Sequence, residues 1–301
     1  MKREYINGNL RVSIDLSDGT KERFTEDDEF HPQFAESMDV TITSKCDGLC
    51  QMCYAGCTPS GTHANLMSDY VVDKFIPSLK PYTELALNGN DLSHPQLQNF
   101  LRMLKEHSII ANLTVNQRHF MQNIDLLHHW YDIGLIHGLG VSLDNSSDEN
   151  FISEIKKFPN AVIHVIAGIF SPDDIKNLQD KDSKILILGY KRKERGIDFY
   201  EKNEPKINMM IAILNNLLPS MINLGKFKVI SFDNLAIEQL HIKEMMDPVK
   251  WEEFYMGDDG SFTFYVDLVN KTFARDSLST NVYDISDRDA QEMFKFIQGV
   301  R

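Results

Sequence analysis

All four cysteines of this 301-residue chain lie in one stretch, "KCDGLCQMCYAGC". Cys46, Cys50 and Cys53 follow the spacing C-x3-C-x2-C, and Cys57 comes four residues later. A closed zinc site takes four ligands, usually from two separated C-x2-C pairs, and the sequence has no second pair, although Cys57 or His63 could complete a site. An iron–sulfur cube held by three thiolates leaves one iron open to a small molecule. The spacing therefore favours an iron–sulfur cluster, with zinc as the alternative.

The composition is that of an ordinary globular protein, with 42% hydrophobic and 25% charged residues. No apolar run approaches the roughly 20 residues that cross a bilayer, and the start of the chain lacks the apolar core of a signal peptide. We therefore expect a cytoplasmic protein, in which grouped cysteines indicate metal or redox chemistry rather than disulfides. The net charge of −13 opposes attraction to nucleic-acid phosphates. The basic run "KRKER" (191–195) is predicted to be a solvated loop.

Apolar runs that alternate with helical stretches predict βα units and a parallel sheet after residue 35. The six predicted strands are 38–43, 83–88, 109–115, 138–144, 161–168 and 184–190. Most of them look apolar on both faces, as expected when helices cover one side and the other lines a core. We predict an α/β protein with a partial, TIM-like (β/α)6 barrel over residues 36–190.

Two further regions flank this predicted core. Residues 1–35 read as an N-terminal β-hairpin appendage, because "LRVSIDL" alternates apolar and polar positions before a turn. Residues 191–301 are predicted to form a C-terminal α+β extension. It contains a long apolar helix, a short strand at 227–232, two strands across the "DDG" turn at 258–260, and a closing helix.

The cysteines come directly after the first predicted strand, since Cys46 follows Thr43 by three residues. In βα barrels the chemistry lies at this carboxyl end of the strands. The loop resembles that of the radical S-adenosylmethionine (radical SAM) superfamily, whose C-x3-C-x2-C signature follows the first strand of a partial (β/α)6 barrel, and the match extends over about 36–190.

This resemblance implies two cofactors, a [4Fe–4S] cluster on Cys46, Cys50 and Cys53, and SAM. In the family, the open iron chelates the amino and carboxylate groups of SAM. Electron transfer then cleaves the sulfonium C–S bond to give a 5′-deoxyadenosyl radical, which takes hydrogen from the substrate. A fourth thiolate would occupy the iron that SAM must reach.

Further matches to the family occur at the ends of successive predicted strands. "LALNGNDLSHP" stands where the family often has a G-G-E-P segment, which implies that Asn88, Gly89 and Asn90 hold the SAM amino group. "TVNQ" is similar to the family's T-N-G turn and implicates Asn116, and "GVSLD" implies that Ser142 contacts the ribose. Small polar residues at strand ends are also good turn formers and helix caps, so each match has a structural alternative.

The sequence departs from the family at two places, the segment after the second predicted strand and the cysteine loop itself. The acidic residue of the G-G-E-P segment is missing at Asn90, and the nearest carboxylate is that of Asp91. The residue before the last cysteine is often aromatic but is Met52 here, with Tyr54 directly after, so adenine packing is expected to use Tyr54 or backbone contacts. Cys57 has three interpretations: a buried small residue, a thiol beside the cluster, or a hydrogen donor that quenches a substrate radical.

The sequence therefore predicts a radical SAM enzyme, with a preference for peptide or protein modification and an electron donor such as flavodoxin or ferredoxin. The N-terminal hairpin and the C-terminal strands could offer a peptide-docking edge by strand addition. No catalytic residue is identified. The alternatives are a zinc-stabilised, non-catalytic binding protein, a radical SAM enzyme that modifies a nucleotide or metabolite, and a relative that has lost turnover.

Overall fold

A computed structural model describes residues 2–300. The strands are β1 (Lys2–Asn7), β2 (Leu10–Asp15), β3 (Lys21–Phe24), β4 (Ser37–Thr41), β5 (Glu84–Asn90), β6 (Ile110–Asn116), β7 (Gly138–Ser142), β8 (Ala161–Ile166), β9 (Lys184–Leu188), β10 (Val229–Phe232), β11 (Thr263–Asp267), β12 (Thr272–Ala274) and β13 (Tyr283–Asp284). All six predicted core strands are present as β4 to β9, with ends that differ by a few residues.

A π-helical turn, Tyr70–Phe75, continues directly into the first short α-helix. The α-helices are α1 (Ile76–Ser78), α2 (Leu97–Glu106), α3 (Gln117–Gln122), α4 (Ile124–Asp132), α5 (Glu149–Ile155), α6 (Pro172–Leu178), α7 (Arg195–Asn223), α8 (Asn234–Gln239), α9 (Ile242–Met245), α10 (Pro248–Phe254) and α11 (Ala290–Gly299). Helices alternate with strands from β4 to β9, which confirms the predicted βα units. No described helix is both long enough and apolar enough to span a bilayer.

The central sheet has ten strands in the order β10-β9-β8-β7-β6-β5-β4-β11-β12-β13. Pairing is parallel from β10 through β4 to β11, and β12 and β13 are antiparallel additions at one edge. The fold is thus mixed α/β with a large parallel sheet. Within residues 2–300, no strand pairing joins β10 to β13, so the sheet is open.

The open sheet is strongly curved. Seven strand spacings separate β10 from β11, which would hold the two strands roughly 30 Å apart in a flat sheet. Yet Asn234, just after β10, donates a 2.9 Å hydrogen bond to Asp259, just before β11. Lys191, after β9, likewise donates to the Ser277 hydroxyl after β12 at 3.1 Å. The sheet therefore bends round until its two sides approach each other.

The strands are not apolar on both faces, which corrects one sequence expectation. In β5 the buried side chains Leu85 and Leu87 point to the helices, whereas Ala86 and Asn88 on the other face are only half-buried. The same alternation runs through β6, β7 and β8. In β5, β6 and β7 the concave face carries small or polar residues, which leave open the space that the curved sheet encloses, whereas in β8 it also carries Val162 and Ile166.

The N-terminal appendage is a three-stranded antiparallel sheet rather than a hairpin, since β1 pairs with the predicted β2–β3 hairpin. It docks at the amino ends of the parallel strands through buried charges. Glu36, whose side chain is fully buried, accepts a 2.9 Å bond from Arg23 and lies 3.7 Å from Lys21. Lys21 also pairs with Glu84 at 2.6 Å. This network ties the appendage to the sheet at the end opposite the cysteines.

The C-terminal third does not form a separate sheet. β10 and β11 extend the central sheet on its two sides, so the predicted boundary at residue 190 falls between strands of one sheet. The prediction of strands across the "DDG" turn was wrong: Asp258–Gly260 precede β11, and residues 268–271 make the turn to β12. The long helix α7 starts at Arg195, earlier than its apolar segment.

Candidate functional site

The four cysteines lie on a loop that leaves the carboxyl end of β4. The base of the loop is closed by backbone pairing of Thr43 with His63 and of Lys45 with Thr58. Within the closed loop, Cys50 is exposed, Cys46 and Cys53 are half-buried, and Cys57 is 4% exposed. None of the four is in a disulfide. The three cysteines of the C-x3-C-x2-C motif are therefore the reachable thiols, and Cys57 is a buried neighbour.

Gly48 lies close to two of the thiols. A side chain at Gly48 would place its Cβ 3.3 Å from the Cys46 sulfur and 3.7 Å from the Cys50 sulfur. The Gly48 amide also donates to the Cys46 sulfur at 3.3 Å. Backbone N–H groups that point at cluster sulfurs are a standard influence on iron–sulfur potentials. A residue larger than glycine at this position would therefore crowd the sulfurs of Cys46 and Cys50.

The thiol spacing does not suit a single zinc ion. Four tetrahedral Zn–S bonds of about 2.3 Å hold sulfurs roughly 3.8 Å apart. Among residues 2–300, the group whose ligand atoms all lie within 4.8 Å of one another is Cys46, Asp47 and Asp91, not three cysteines. In that group the Asp47 carboxylate already accepts 2.6 Å bonds from Arg118 and His119. The three motif thiols do not come together at the spacing of a mononuclear site, whereas an iron–sulfur cube needs its thiols further apart.

Cys57 interacts with Cys53, the third cysteine of the motif. A hydrogen bond from the Cys57 thiol lowers the pKa of Cys53 to about 5, which favours the thiolate form that binds metal. The amide of Asn90 donates to the Cys57 sulfur at 3.3 Å. Burial raises the pKa values of Cys46 and Cys50. Cys57 thus lies beside the predicted cluster ligands, although it is fully enclosed.

The segment Asn88–Gly89–Asn90 at the end of β5 lies next to the cysteine loop. The Asn88 side chain accepts from the Ile42 amide at 2.6 Å and donates to the Thr43 carbonyl at 2.7 Å, so it fastens the start of the loop to β5. Asn90, with φ of 50°, donates to the Lys45 carbonyl at 3.1 Å. At Gly89, a Cβ would lie 2.7 Å from Leu113, and only glycine fits. The structure gives these residues a role in positioning the loop.

Asn116 and Ser142 end the next two parallel strands, side by side. Asn116 caps α3 by accepting from the Arg118 amide at 2.9 Å. Ser142 pairs with Asn116 in β6–β7 and with His164 in β7–β8, so the three form a row on the concave face. His164 packs against the backbone of Gly140, where a Cβ would lie 2.3 Å from its ring. Burial and the charge of Lys191 lower the pKa of His164 to about 4, so its ring is neutral at pH 7.

Met52 and Tyr54 project from the loop toward the start of α7. Met52 packs against the apolar cluster of Tyr190, Tyr200 and Ile207. Tyr54 is 38% exposed, and the Lys191 ammonium lies 4.3 Å from the centre of its ring. Tyr54 keeps one open face beside the thiols, as a residue that packs a flat ligand requires, whereas Met52 is mainly a packing residue.

Two groups of functional interest were missed in the sequence. The basic run 191–195 is not a freely solvated loop, because its side chains are engaged around the cysteine loop and Tyr54. The second group lies on the concave face, where burial raises the pKa of Asp39 and the charges of Asp233 and Asp276 add to the effect. Burial likewise raises the pKa of Asp259. The basic run is a sequence signal that could have drawn attention to residues 191–195. The aspartates of the concave face are scattered along the chain, and no local pattern marks them.

Asp259 also lines a cavity of about 400 Å³ where the two sides of the sheet approach each other. The other lining residues come from the segments after β10, before β11 and after β12, namely Asn234, Ile237, Glu238, Tyr255, Asp258, Arg275 and Asp276. The cavity is therefore largely acidic, with the Arg275 guanidinium bonded to the Asp259 carbonyl at 2.6 Å.

Comparison with known proteins finds relatives by structure only, since no family model and no curated protein sequence matches the chain. The crystal structure of Streptococcus suis SuiB bound to S-adenosylmethionine matches with a TM-score of 0.60 at 9% identity, covering 100% of this chain and 89% of that chain. This chain shares the fold of SuiB. SuiB bound to the precursor peptide SuiA matches with a TM-score of 0.59 at 10% identity, covering 100% of this chain and 90% of that chain. At such low identity the likeness establishes the fold.

Proposed function

We propose that this protein is a radical SAM enzyme that modifies a peptide. The observation that carries the proposal is the placement of three reachable thiols, in C-x3-C-x2-C spacing, on the loop after the first strand of a parallel sheet. That this fold is also the fold of a protein crystallised with S-adenosylmethionine supports the same conclusion. We interpret the curved sheet as a partial barrel, with residues 36–190 as its core, 1–35 as an appendage and 191–301 as an extension.

Cys46, Cys50 and Cys53 would hold a [4Fe–4S] cluster by their thiolates. When bound, the cluster supplies the electron that cleaves the sulfonium C–S bond of SAM at the iron without a protein ligand. The chain's own part is to keep Cys53 ionised through the Cys57 hydrogen bond. It also orients the loop through Asn88 and Asn90, whose bonds reach the loop backbone.

The SAM site would lie across the carboxyl ends of β5, β6 and β7. Asn88, Gly89 and Asn90 form its first wall, and because the Asn88 amide is already bonded, we assign the contact with the SAM amino group to the backbone of this segment. Asn116 and Ser142 are adjacent on the concave face and would contact the ribose. Tyr54 would pack against the adenine, with Met52 supporting the loop from behind.

A peptide substrate is supported by two observations. The SuiB structure with its precursor peptide shares this fold over the full length of the chain. In the N-terminal sheet, β1 and β3 each pair on one side only within residues 2–300, which leaves edges that an extended peptide can join. We further propose a cytoplasmic location and an electron donor such as flavodoxin or ferredoxin.

Anaerobic reconstitution of the full chain tests this function. We expect brown protein with about four iron and four sulfide per chain, and formation of 5′-deoxyadenosine from SAM under strong reductant. Cys50→Ala is the matched control and should give neither. Colourless protein that holds zinc and leaves SAM intact would favour the zinc-stabilised binding protein instead, and a brown protein that leaves SAM intact would indicate a relative without turnover.

The substrate class can be tested in the same preparation. Peptides carrying deuterium on their side chains should pass the label to 5′-deoxyadenosine, as detected by mass spectrometry. Label transfer from a nucleotide or metabolite, with none from any peptide, would contradict peptide modification and leave the radical chemistry intact.

A further inference from the structure

The basic segment "KRKER", residues 191–195, connects β9 to α7 and is held in a defined position. Lys193 donates to the Ser277 carbonyl at 2.6 Å, and Lys191 donates to the hydroxyl of the same residue at 3.1 Å. The Arg192 guanidinium stacks 3.4 Å from the centre of the Tyr200 ring. A segment with so many fixed side chains is a structural element and not a mobile, solvated loop.

Arg195 is the member of this segment that reaches the cysteine loop. Its Nε donates to the Cys50 carbonyl at 3.1 Å, and its Nη2 donates to the Cys57 carbonyl at 2.9 Å. These two carbonyls lie on either side of Cys53 in the chain. One planar guanidinium therefore spans the part of the loop that carries two of the three reachable thiols, and its fork geometry fixes the distance between the two acceptors.

The basic segment and the cysteine loop also approach each other closely. A Cβ at Gly196 would lie 2.4 Å from the Lys191 carbonyl oxygen of the same segment and 3.5 Å from the Met52 carbonyl oxygen of the cysteine loop. On the loop side, Gly56 has φ of 63°, and a Cβ there would lie 3.1 Å from the Glu194 carboxylate. Both glycines permit a close approach that places Arg195 against the loop from a defined direction.

We propose that Arg195 is a positioning residue for the cluster, which fixes the cysteine loop and places a permanent positive charge beside the reduced cluster. This inference rests on the proposed function. A guanidinium stays charged at all accessible pH values, so it favours whichever redox state carries more negative charge. The guanidinium bonds directly to the backbone of Cys50 and Cys57, so its charge lies against the loop that would hold the cluster.

The proposal predicts two separable effects of Arg195 substitutions in the full, anaerobically reconstituted protein. Arg195→Gln removes the charge and should make the midpoint potential more negative, by a tenfold change in the reduction equilibrium or about 59 mV for one electron. Arg195→Lys keeps the charge but loses the fork, so it should keep the potential and release iron to a chelator faster than wild type. Arg192→Gln is the control, because Arg192 stacks on Tyr200 and does not bond to the cysteine loop.

EPR-monitored redox titration and the rate of iron loss to a chelator, both without SAM, are the readouts. The proposal is supported if the midpoint potential shifts in Arg195→Gln but stays at the wild-type value in Arg195→Lys and in Arg192→Gln. Equal potentials and equal iron release in wild type and both Arg195 variants would overturn it while leaving the proposed function intact, and an equal shift in Arg192→Gln would overturn it too. Wild-type protein that takes up no cluster would overturn the proposed function itself, and with it this inference.

Discussion

Glu36 and Asp39 lie three residues apart, Glu36 directly before β4 and Asp39 within it, and the surroundings of the two carboxylates differ. Glu36, at the amino end of β4, is fully buried and bonded to Arg23 at 2.9 Å. Asp39, on the concave face, is open to solvent and makes no ion pair within 4.0 Å among residues 2–300. Although this side chain is accessible, the protein around the concavity partly desolvates it, and together with the charges of Asp233 and Asp276 this raises the pKa of Asp39.

This difference distinguishes the amino end of the sheet, whose charges stabilise the fold, from the carboxyl end, which carries the candidate site. At the amino end, every charge of the Glu36 network has a partner, and removal of one would leave others buried and unpaired. Toward the carboxyl end, the three motif thiols and the Asp39 carboxylate are exposed or half-exposed and form no ion pair among residues 2–300. Proteins tolerate such groups where a ligand will use them. Substitutions at the two ends should therefore separate stability from cofactor binding.

The largest expected effect is at the carboxyl end. Cys50→Ala should reduce bound iron from about four per chain to nearly none and abolish SAM cleavage. Because Cys50 is exposed, the unfolding free energy of the metal-free protein should change by no more than about 0.5 kcal/mol. Cys57→Ala is the matched comparison: it removes a hydrogen bond that favours ionised Cys53 but none of the three proposed ligands, so it should keep its iron. Iron retention in Cys50→Ala would show that the cluster ligands are wrongly assigned.

At the amino end the expected effect is on stability alone. Glu36→Gln should lower the unfolding free energy by about 3–5 kcal/mol, because it leaves Lys21 and Arg23 buried beside a neutral group. Iron content and cluster potential should match the wild type. Asp39→Asn on the same strand should raise stability slightly or leave it unchanged. Urea unfolding of Glu36→Gln and Asp39→Asn measures this contrast. Equal losses of unfolding free energy in the two variants would contradict the distinction between the two ends of the sheet.

The carboxyl end should also weaken first in acid. His94, beside the cysteine loop, is 5% exposed, and burial lowers its pKa to about 4. Because the unfolded histidine titrates near 6.5, the native state binds fewer protons, and stability is lost as the pH falls from about 6.5 to 4, by about 3 kcal/mol in total. Unfolding of His94→Gln should show a flatter pH dependence across this range. If the unfolding free energies of wild type and His94→Gln fell equally with pH, the acid sensitivity would come from groups other than His94.

A smaller effect is expected at Asn88, which we assign to the loop's position. Asn88→Ala should cost about 1–3 kcal/mol, because the Ile42 amide and the Thr43 carbonyl lose their partner. Ser142→Ala should change stability by no more than about 0.5 kcal/mol but weaken SAM binding, which equilibrium dialysis measures. If both variants lost SAM affinity and Asn88→Ala kept the stability of the wild type, a direct contact between the Asn88 side chain and SAM would be favoured.

The sequence was most informative where local pattern decides structure. β4 to β9 were predictable because each is a short apolar run between helical stretches, and the cysteine loop was placed correctly because it follows such a run. β1, "KREYIN", carries no strong apolar alternation and is a strand because it pairs with β2. The "DDG" segment resembles a hairpin turn, but the partners of β11 are β4 and β12, which only the three-dimensional sheet determines.

Long-range contacts limited the prediction of the site. Asn88 was recognisable as a polar residue at a strand end, but its bonds to Ile42 and Thr43 cross 46 and 45 residues. Arg195 bonds to Cys50 across 145 residues, and no local pattern distinguishes such an arginine from a solvated one. The sequence thus identified the candidate ligands, whereas the residues that position them became visible only in the fold.

EPR spectroscopy of the anaerobically reconstituted, dithionite-reduced protein, recorded with and without SAM, tests the central claim most directly. We predict the signal of a reduced [4Fe–4S] cluster whose g-values change when SAM is added, because SAM binds the iron that the three cysteines leave open. A protein without such a signal, or with one that SAM leaves unchanged, would contradict this account.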